Sequence, residues 1–443
     1  MRLLYWALGF SVWLPATALA VVGTFGIQPA SVAAMAIVSL RILNGRLSID
    51  TAVSGVMLIW LVGMLASALF APDIAAALRF IVIYLTGMLC LVAAYESGTD
   101  SRISSVKGFF VGGVVSAVYS VYQQLAFDQG LPMPLALNNN PAMSSYAQNL
   151  MEGRWGTYVN RAFAFTPEPS VLAAILLACL MAAIGEMMSE NRRIALPWLW
   201  VVILTISAGM IACGSLGLFI SLPITIAGFI LVISLLFRRS ASVKRLGKKM
   251  ATLIAVISSV LLMVYFFGLF NTAVMNSVME RLSDIGFSTN TYSVGDASTA
   301  VRLASILHAL DIFLENPVFG YGVFVDAGYF SQGFPLRSLE MKTGVDSWPL
   351  SILAGGGIIS FTGYLLLVGL TLSRARRSPF LLALFIGTLL PTLAQSGYIM
   401  LYHVWFAWGL CCSRSRVSTH AKIQRAAKLS APIAHHARYG SPF

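Results

Sequence analysis

The chain has 443 residues, of which 58% are hydrophobic and only 10% charged. Soluble domains carry about 25% charged residues, so this composition excludes a water-solvated globule and calls for lipid around most of the surface. The net charge of +12 does not mark a nucleic-acid binder, because the Lys and Arg residues sit in short clusters between apolar runs, as membrane topology demands.

Apolar runs of roughly 20 residues match the about 30 Å core of a bilayer. A transmembrane β-barrel would show short alternating segments instead. The expected fold class is an all-α polytopic membrane protein. Twelve spans are read, at about 3–22, 27–43, 51–70, 74–95, 108–127, 169–189, 195–213, 215–237, 250–270, 347–372, 379–396 and 398–412. The last two read either as two short helices broken near Gln395-Ser396-Gly397 or as one helix plus a re-entrant piece. Residues 1–412 form one transmembrane domain, and 413–443 form a basic tail read as disordered and cytoplasmic.

Arg2 followed by an apolar run and Ala18-Leu19-Ala20 is also the pattern of a cleaved secretory signal. Apolar sequence continues past that point, which favours a retained first helix. With the N-terminus inside, 22 of the 29 Lys and Arg residues fall on cytoplasmic pieces. Arg154, Arg161, Arg281, Arg302, Arg337 and Lys342 fall in outer loops, and Arg79 lies within a span. This split sets the expected orientation, with both termini cytoplasmic. The five cysteines lie in or at the end of apolar runs, with none in the long loops, so no disulfide framework or metal spacing is present.

Two long outer loops remain, 128–167 and 271–345. The first ends in Arg161-Ala-Phe-Ala-Phe-Thr-Pro-Glu168-Pro-Ser170, directly before a span. Its two prolines hold the entry extended, which places Glu168 at the mouth of the bundle. A carboxylate there is costly unless solvated, paired or used; a pairing with Arg and a functional role are equally compatible. In the second loop, Thr299–Glu315 reads as an amphipathic helix. Phe313, Ile306, Leu310, Leu303, Leu314 and Leu307 fill one arc, and Arg302, Ser305, His308, Asp311 and Glu315 the rest. Such a helix lies in the membrane interface or lids the bundle. Pro317 stops it, and Gly320-Tyr321-Gly322 follows, either a plain turn or a close backbone approach to a ligand. Asp346 stands at a helix start, as a cap or a working carboxylate. Gly355-Gly356-Gly357 within that span suggests close helix packing. Arg79 either snorkels or serves a ligand. Gln395 and His403 flank the break between the last two spans, and each either lines a cavity or hydrogen-bonds between helices.

Arg302 through Gly322, written R-x12-E-N-P-x-x-G-x-G, resembles the signature of the O-antigen polymerase and O-antigen ligase superfamily. Arg161–Ser170 resembles the R…EPS segment of its polymerase-type members. Two departures stand out. Where ligase-like members carry a His, ten residues and a Gly, this chain has Asp346 and Gly357; where many carry Ser-Arg at a turn between central spans, it has Cys213-Gly214-Ser215-Leu216-Gly217. Both favour a polymerase over a ligase.

The resemblance implies a metal-independent glycosyltransferase of the bacterial inner membrane. It would polymerise undecaprenyl-diphosphate-linked repeat units into O-antigen, capsule or exopolysaccharide, with no cofactor and with a chain-length regulator as a potential partner. A ligase passing glycan to lipid A-core or protein is the second reading, and a polysaccharide transporter or flippase the third. The catalytic candidates are Arg302 and Arg161 as diphosphate or glycan clamps, with Glu168 or Asp346 as base. Arg337, His308, Asn316, Gly320, Gly322 and Arg79 are the substrate-binding candidates.

Overall fold

A computed structural model describes residues 1–22, 25–71, 74–141, 161–189, 192–237, 255–256, 258–259, 297–322, 347–393 and 402–413. The described chain is mostly helical. Its elements are α1 (Arg2–Ser11), β1 (Ala20–Val22), β2 (Phe25–Ile27), α2 (Pro29–Leu43), α3 (Thr51–Leu69), α4 (Ile74–Tyr95), α5 (Thr99–Gln129), α6 (Pro169–Met188), α7 (Leu196–Ala212), α8 (Leu216–Phe237), α9 (Ala297–Glu315), α10 (Trp348–Ala375), α11 (Pro379–Thr392) and α12 (Tyr402–Cys412). Among the described residues, five helices are long and apolar enough to cross a membrane: α3, α4, α5, α6 and α10. Shorter apolar helices cover α2, α7, α11 and the middle of α8. The mostly helical class is as expected, and five helices of spanning length are described where the sequence suggests twelve spans. The span at 250–270 lies almost wholly outside the described residues.

The first apolar run is not one helix. Pro15 lacks an amide donor and disfavours helix at the residue before it, and α1 ends at Ser11. The chain then turns into the antiparallel β1–β2 hairpin, with Ala20 opposite Ile27. Helix α5 is longer than the apolar core read at 108–127. It begins on Gly98 with Asp100 in its first turn, where an acid favours the helix dipole, and ends on Gly130 in the left-handed region. The final pair are two separate helices, α11 and α12, with Gln395 between them outside the described residues.

Helix α6 is apolar on nearly every side, and it is buried on nearly every side, as a helix without a polar stripe must be. It packs against α7 and α11. α3 and α10 approach closely through a reciprocal pair of glycines. A Cβ on Gly63 would lie 2.7 Å from Ser360 N, and one on Gly363 would lie 2.7 Å from Trp60 N. Small residues at such crossings are how helices associate inside lipid. Around this crossing sits an aromatic core, with Trp60 stacked on Trp405 at 5.2 Å and Trp348 against Trp408 at 5.6 Å. Trp408 donates its indole N–H to Thr388 Oγ1.

One end of the bundle is tied by charge. Arg374 pairs with Asp50 and donates to the Cys412 carbonyl. Arg102 donates to the Leu410 carbonyl, and Arg41 to the Glu96 carbonyl. Arg2 pairs with Asp100. Arg374, Arg102 and Arg41 reach carbonyls at or beside helix C-termini, where the helix dipole favours positive charge. All five cysteines are buried and unbridged.

Candidate functional site

Two groups of candidate residues gather at places where the backbone departs from helix. The first is the segment Arg161–Ser170. Ala162, Phe163 and Ala164 are fully buried, so their backbone groups need partners inside the protein. Gln123 Oε1 on α5 accepts from both the Phe163 and Ala164 amides, at 3.1 and 2.7 Å. Asn138 Nδ2 donates to the Ala164 carbonyl at 3.2 Å, and the Ala16 amide donates to the Phe165 carbonyl at 3.0 Å. Under these constraints Ala164 is held at φ +46°. A non-glycine residue persists in that region only where its surroundings over-determine it.

This grip presents the charged residues on either side. Arg161 is half-buried, and its Nη1 lies 3.5 Å from the Gly214 carbonyl, in the turn between α7 and α8. Glu168 is half-buried at the N-cap position of α6. Its side chain does not cap the helix; Oε1 accepts from Ser170 Oγ. The structure thus brings Arg161 to the turn that the sequence reading had treated separately.

The second group lies on α10. At Gly357 the helix breaks, with φ +61° and ψ −169°. The triple glycine therefore does more than allow close packing. The segment after α9 enters this break. Ile358 N–H donates to the Pro317 carbonyl, Tyr321 N–H to the Ala354 carbonyl and Gly322 N–H to the Gly355 carbonyl, each at 2.9 Å. Gly320 N–H closes the turn on the Asn316 carbonyl, also at 2.9 Å. Phe319 stacks on Phe70 at the end of α3, at 4.6 Å. Ser67 Oγ donates to the Gly355 carbonyl. Asn316 and the two glycines thus bind the protein's own backbone.

Beside the break is a cavity of about 10 Å³, room for one water. Trp60, Ser351 and Ser360 belong to its lining, and Trp60 Nε1, Ser351 Oγ and Ser360 Oγ have no hydrogen-bond partner among the described residues. A polar lining of this kind suits a bound water rather than an apolar void. His403, in the first turn of α12, is 3% exposed, and its Nδ1 has no hydrogen-bond partner among the described residues.

Helix α9 forms where the amphipathic pattern placed it, and Arg302 and His308 lie along it. Its contact face differs from the apolar arc. Ala309 and Ile312 pack against Leu350 and Ala354 of α10, while Leu307, Leu310 and Leu314 stay exposed. An exposed leucine face with Asp311 and Glu315 on the polar side fits a membrane interface. Arg79 lies on α4 and is exposed. The helix-start position before Trp348 is taken by Ser347. Asp346 and Arg337 lie outside the described residues. Among the described residues, no three of His, Cys, Asp and Glu group as metal ligands.

The described residues define a class: a bundle of apolar helices with an arginine-bearing entry segment before α6 and a broken helix, α10, bonded to the segment that follows α9. Residues 199–365 match the family described as O-antigen ligase. The match, from α7 to the middle of α10, is consistent with the O-antigen polymerase and ligase superfamily. It supports an enzyme of the glycosyltransferase type, O-antigen polymerase or ligase in general. The matched region contains Arg302, the Gly320–Gly322 turn and the Gly357 break; Arg161 and Glu168 precede it. No curated protein matches the chain.

Proposed function

We propose that the protein polymerises undecaprenyl-diphosphate-linked oligosaccharide units at the outer face of the bacterial inner membrane. The growing glycan passes from its carrier to the non-reducing end of the next lipid-linked unit. The bond between the anomeric carbon and the diphosphate oxygen breaks, and a new glycosidic bond forms to an acceptor hydroxyl. Negative charge builds on the leaving diphosphate. Arginine suits it, because a guanidinium stays protonated and binds phosphate oxygens bidentately. Fixed cations of this kind contribute about 3–4 kcal/mol to such steps. The hydroxyl proton goes to a carboxylate, Glu168 or Asp346, and no metal is needed in this scheme.

The observation that carries the reading is the placement of Arg161. Many members of the superfamily carry Ser-Arg at the turn where this chain has Cys213–Gly217. Here the guanidinium of Arg161 reaches that turn from the other loop, and the turn lies within the matched region. The missing turn arginine thus has a spatial substitute from an R…EPS segment of the polymerase type. A ligase is the second reading, favoured by the description of the matched family. Deleting the gene and resolving surface polysaccharide on a gel separates the readings. Loss of a polymerase leaves single repeat units attached. Loss of a ligase leaves none attached and full chains on the carrier. Lipid-linked units trapped on the cytoplasmic face would instead indicate a flippase. Arg302→Ala at normal membrane level should lose activity, and Arg302→Lys should not restore it.

A further inference from the structure

In an unbroken α10, the Ile358 amide would donate to the Ala354 carbonyl four residues back. The break at Gly357 separates them. Each then finds a partner in the segment that follows α9: the Ile358 amide takes the Pro317 carbonyl, and the Ala354 carbonyl takes the Tyr321 amide. The Gly355 carbonyl takes the Gly322 amide and the Ser67 hydroxyl. Backbone groups left unpaired within a bilayer are strongly disfavoured, so the break and the inserted segment require each other. Only glycine permits the contact. Gly320 and Gly357 both have positive φ, and a Cβ on Gly320 would sit 2.5 Å from Gly355 O and Gly357 N.

This lock has a mechanical consequence. α9 ends at Glu315, and Pro317, the first locked residue, follows two positions later. Ala309 and Ile312 already rest on α10. Packing sets how near α9 lies; the backbone bonds set where along α10 it stops. Arg302 lies seven residues before Ala309, about two helical turns.

We infer that Gly320 and Gly357 are positioning residues whose backbone lock holds α9, and with it Arg302, in register with the bundle. This rests on the functional reading above. The test uses the full-length protein in membranes with Ile312→Cys and Leu350→Cys, which cross-link across the α9–α10 contact. Gly320→Ala and Gly357→Ala should accumulate normally and lose most of the cross-link. Displaced groups of this kind slow the chemical step by about 100-fold, so kcat should fall on that scale while KM for the lipid-linked unit stays within about twofold. Cross-linking the residual Gly320→Ala fraction should raise its turnover. Gly369→Ala, on the same helix with open space around it, should change neither readout.

A lost cross-link with unchanged kcat would overturn the inference, as would a fall in kcat with the cross-link intact. If the glycine variants fail to accumulate, Ser67→Ala carries the test: cross-link yield and kcat must fall together, with recovery in Ser67→Thr. Full activity of Arg302→Ala would defeat the functional reading instead, and the cross-link, which needs no substrate, would still report the lock.

Discussion

Arg374 Nη2 lies 2.7 Å from Asp50 Oδ2, and both side chains are more than nine-tenths buried. Arg374 also donates to the Cys412 carbonyl at 2.7 Å, and Asp50 caps α3 by accepting from the Ala52 amide at 3.0 Å. One ion pair thus ties the start of α3 to the far ends of α10 and α12. Removing one partner leaves a buried charge alone, which costs about 3–5 kcal/mol. Arg374→Met should therefore destabilise the protein strongly, and the Asp50→Asn, Arg374→Met double variant should recover part of the loss. Thermal unfolding in detergent checks both; equal losses in single and double variants would refute the coupling.

The crossing of α3 and α10 gives a second expectation. The atoms nearest a Cβ on Gly63 include Ser360 N and Cα, and those nearest one on Gly363 are Trp60 N and Cα. Backbone cannot yield as a side-chain tip can. Each Gly→Ala change should cost about 1–3 kcal/mol by overpacking. The two should be less than additive, because the first already spreads the helices that the second would push apart. The same unfolding assay on both singles and the double decides this.

Gln123 accepts from two adjacent buried amides, Phe163 and Ala164. Gln123→Met keeps the volume near that of the amide and removes the acceptor. An orphaned buried donor costs about 1–3 kcal/mol, so this change should be among the more damaging in α5. It should also raise proteolytic cleavage within 161–170. Resistance equal to the wild type would show that the segment does not depend on this grip.

The long apolar helices were legible in the sequence because lipid demands a simple signal, about 20 apolar residues in a row. α9 was legible from its 3.6-residue period. The turn at Pro15 was hidden by apolar residues on both sides, although the proline itself was the available sign. The break in α10 was missed for a different reason. Gly355-Gly356-Gly357 reads as a packing surface until a second segment is known to supply the hydrogen bonds that a break forfeits. Those partners, Pro317 and Tyr321, lie far away in the chain, and no local period encodes such a pairing. The same holds for Arg161 and Gly214, joined across α6 and α7.

Arg161 offers the sharpest separation between structural and chemical roles. The hydrogen bond from Arg161 to the Gly214 carbonyl is long at 3.5 Å, and a bond of that length adds little to stability. A lysine would keep the charge and much of the reach. It would lose the planar fork that grips a diphosphate through two oxygens. If Arg161 serves only the fold, Arg161→Lys should behave as wild type. If it neutralises the leaving diphosphate, turnover of lipid-linked units should fall by about 100-fold, the scale of a lost transition-state donor. Thermal stability should then stay close to that of the wild type. Turnover measured on purified Arg161→Lys and Arg161→Ala in detergent, beside their unfolding temperatures, makes the distinction. Wild-type turnover by the lysine variant would remove Arg161 from the diphosphate site.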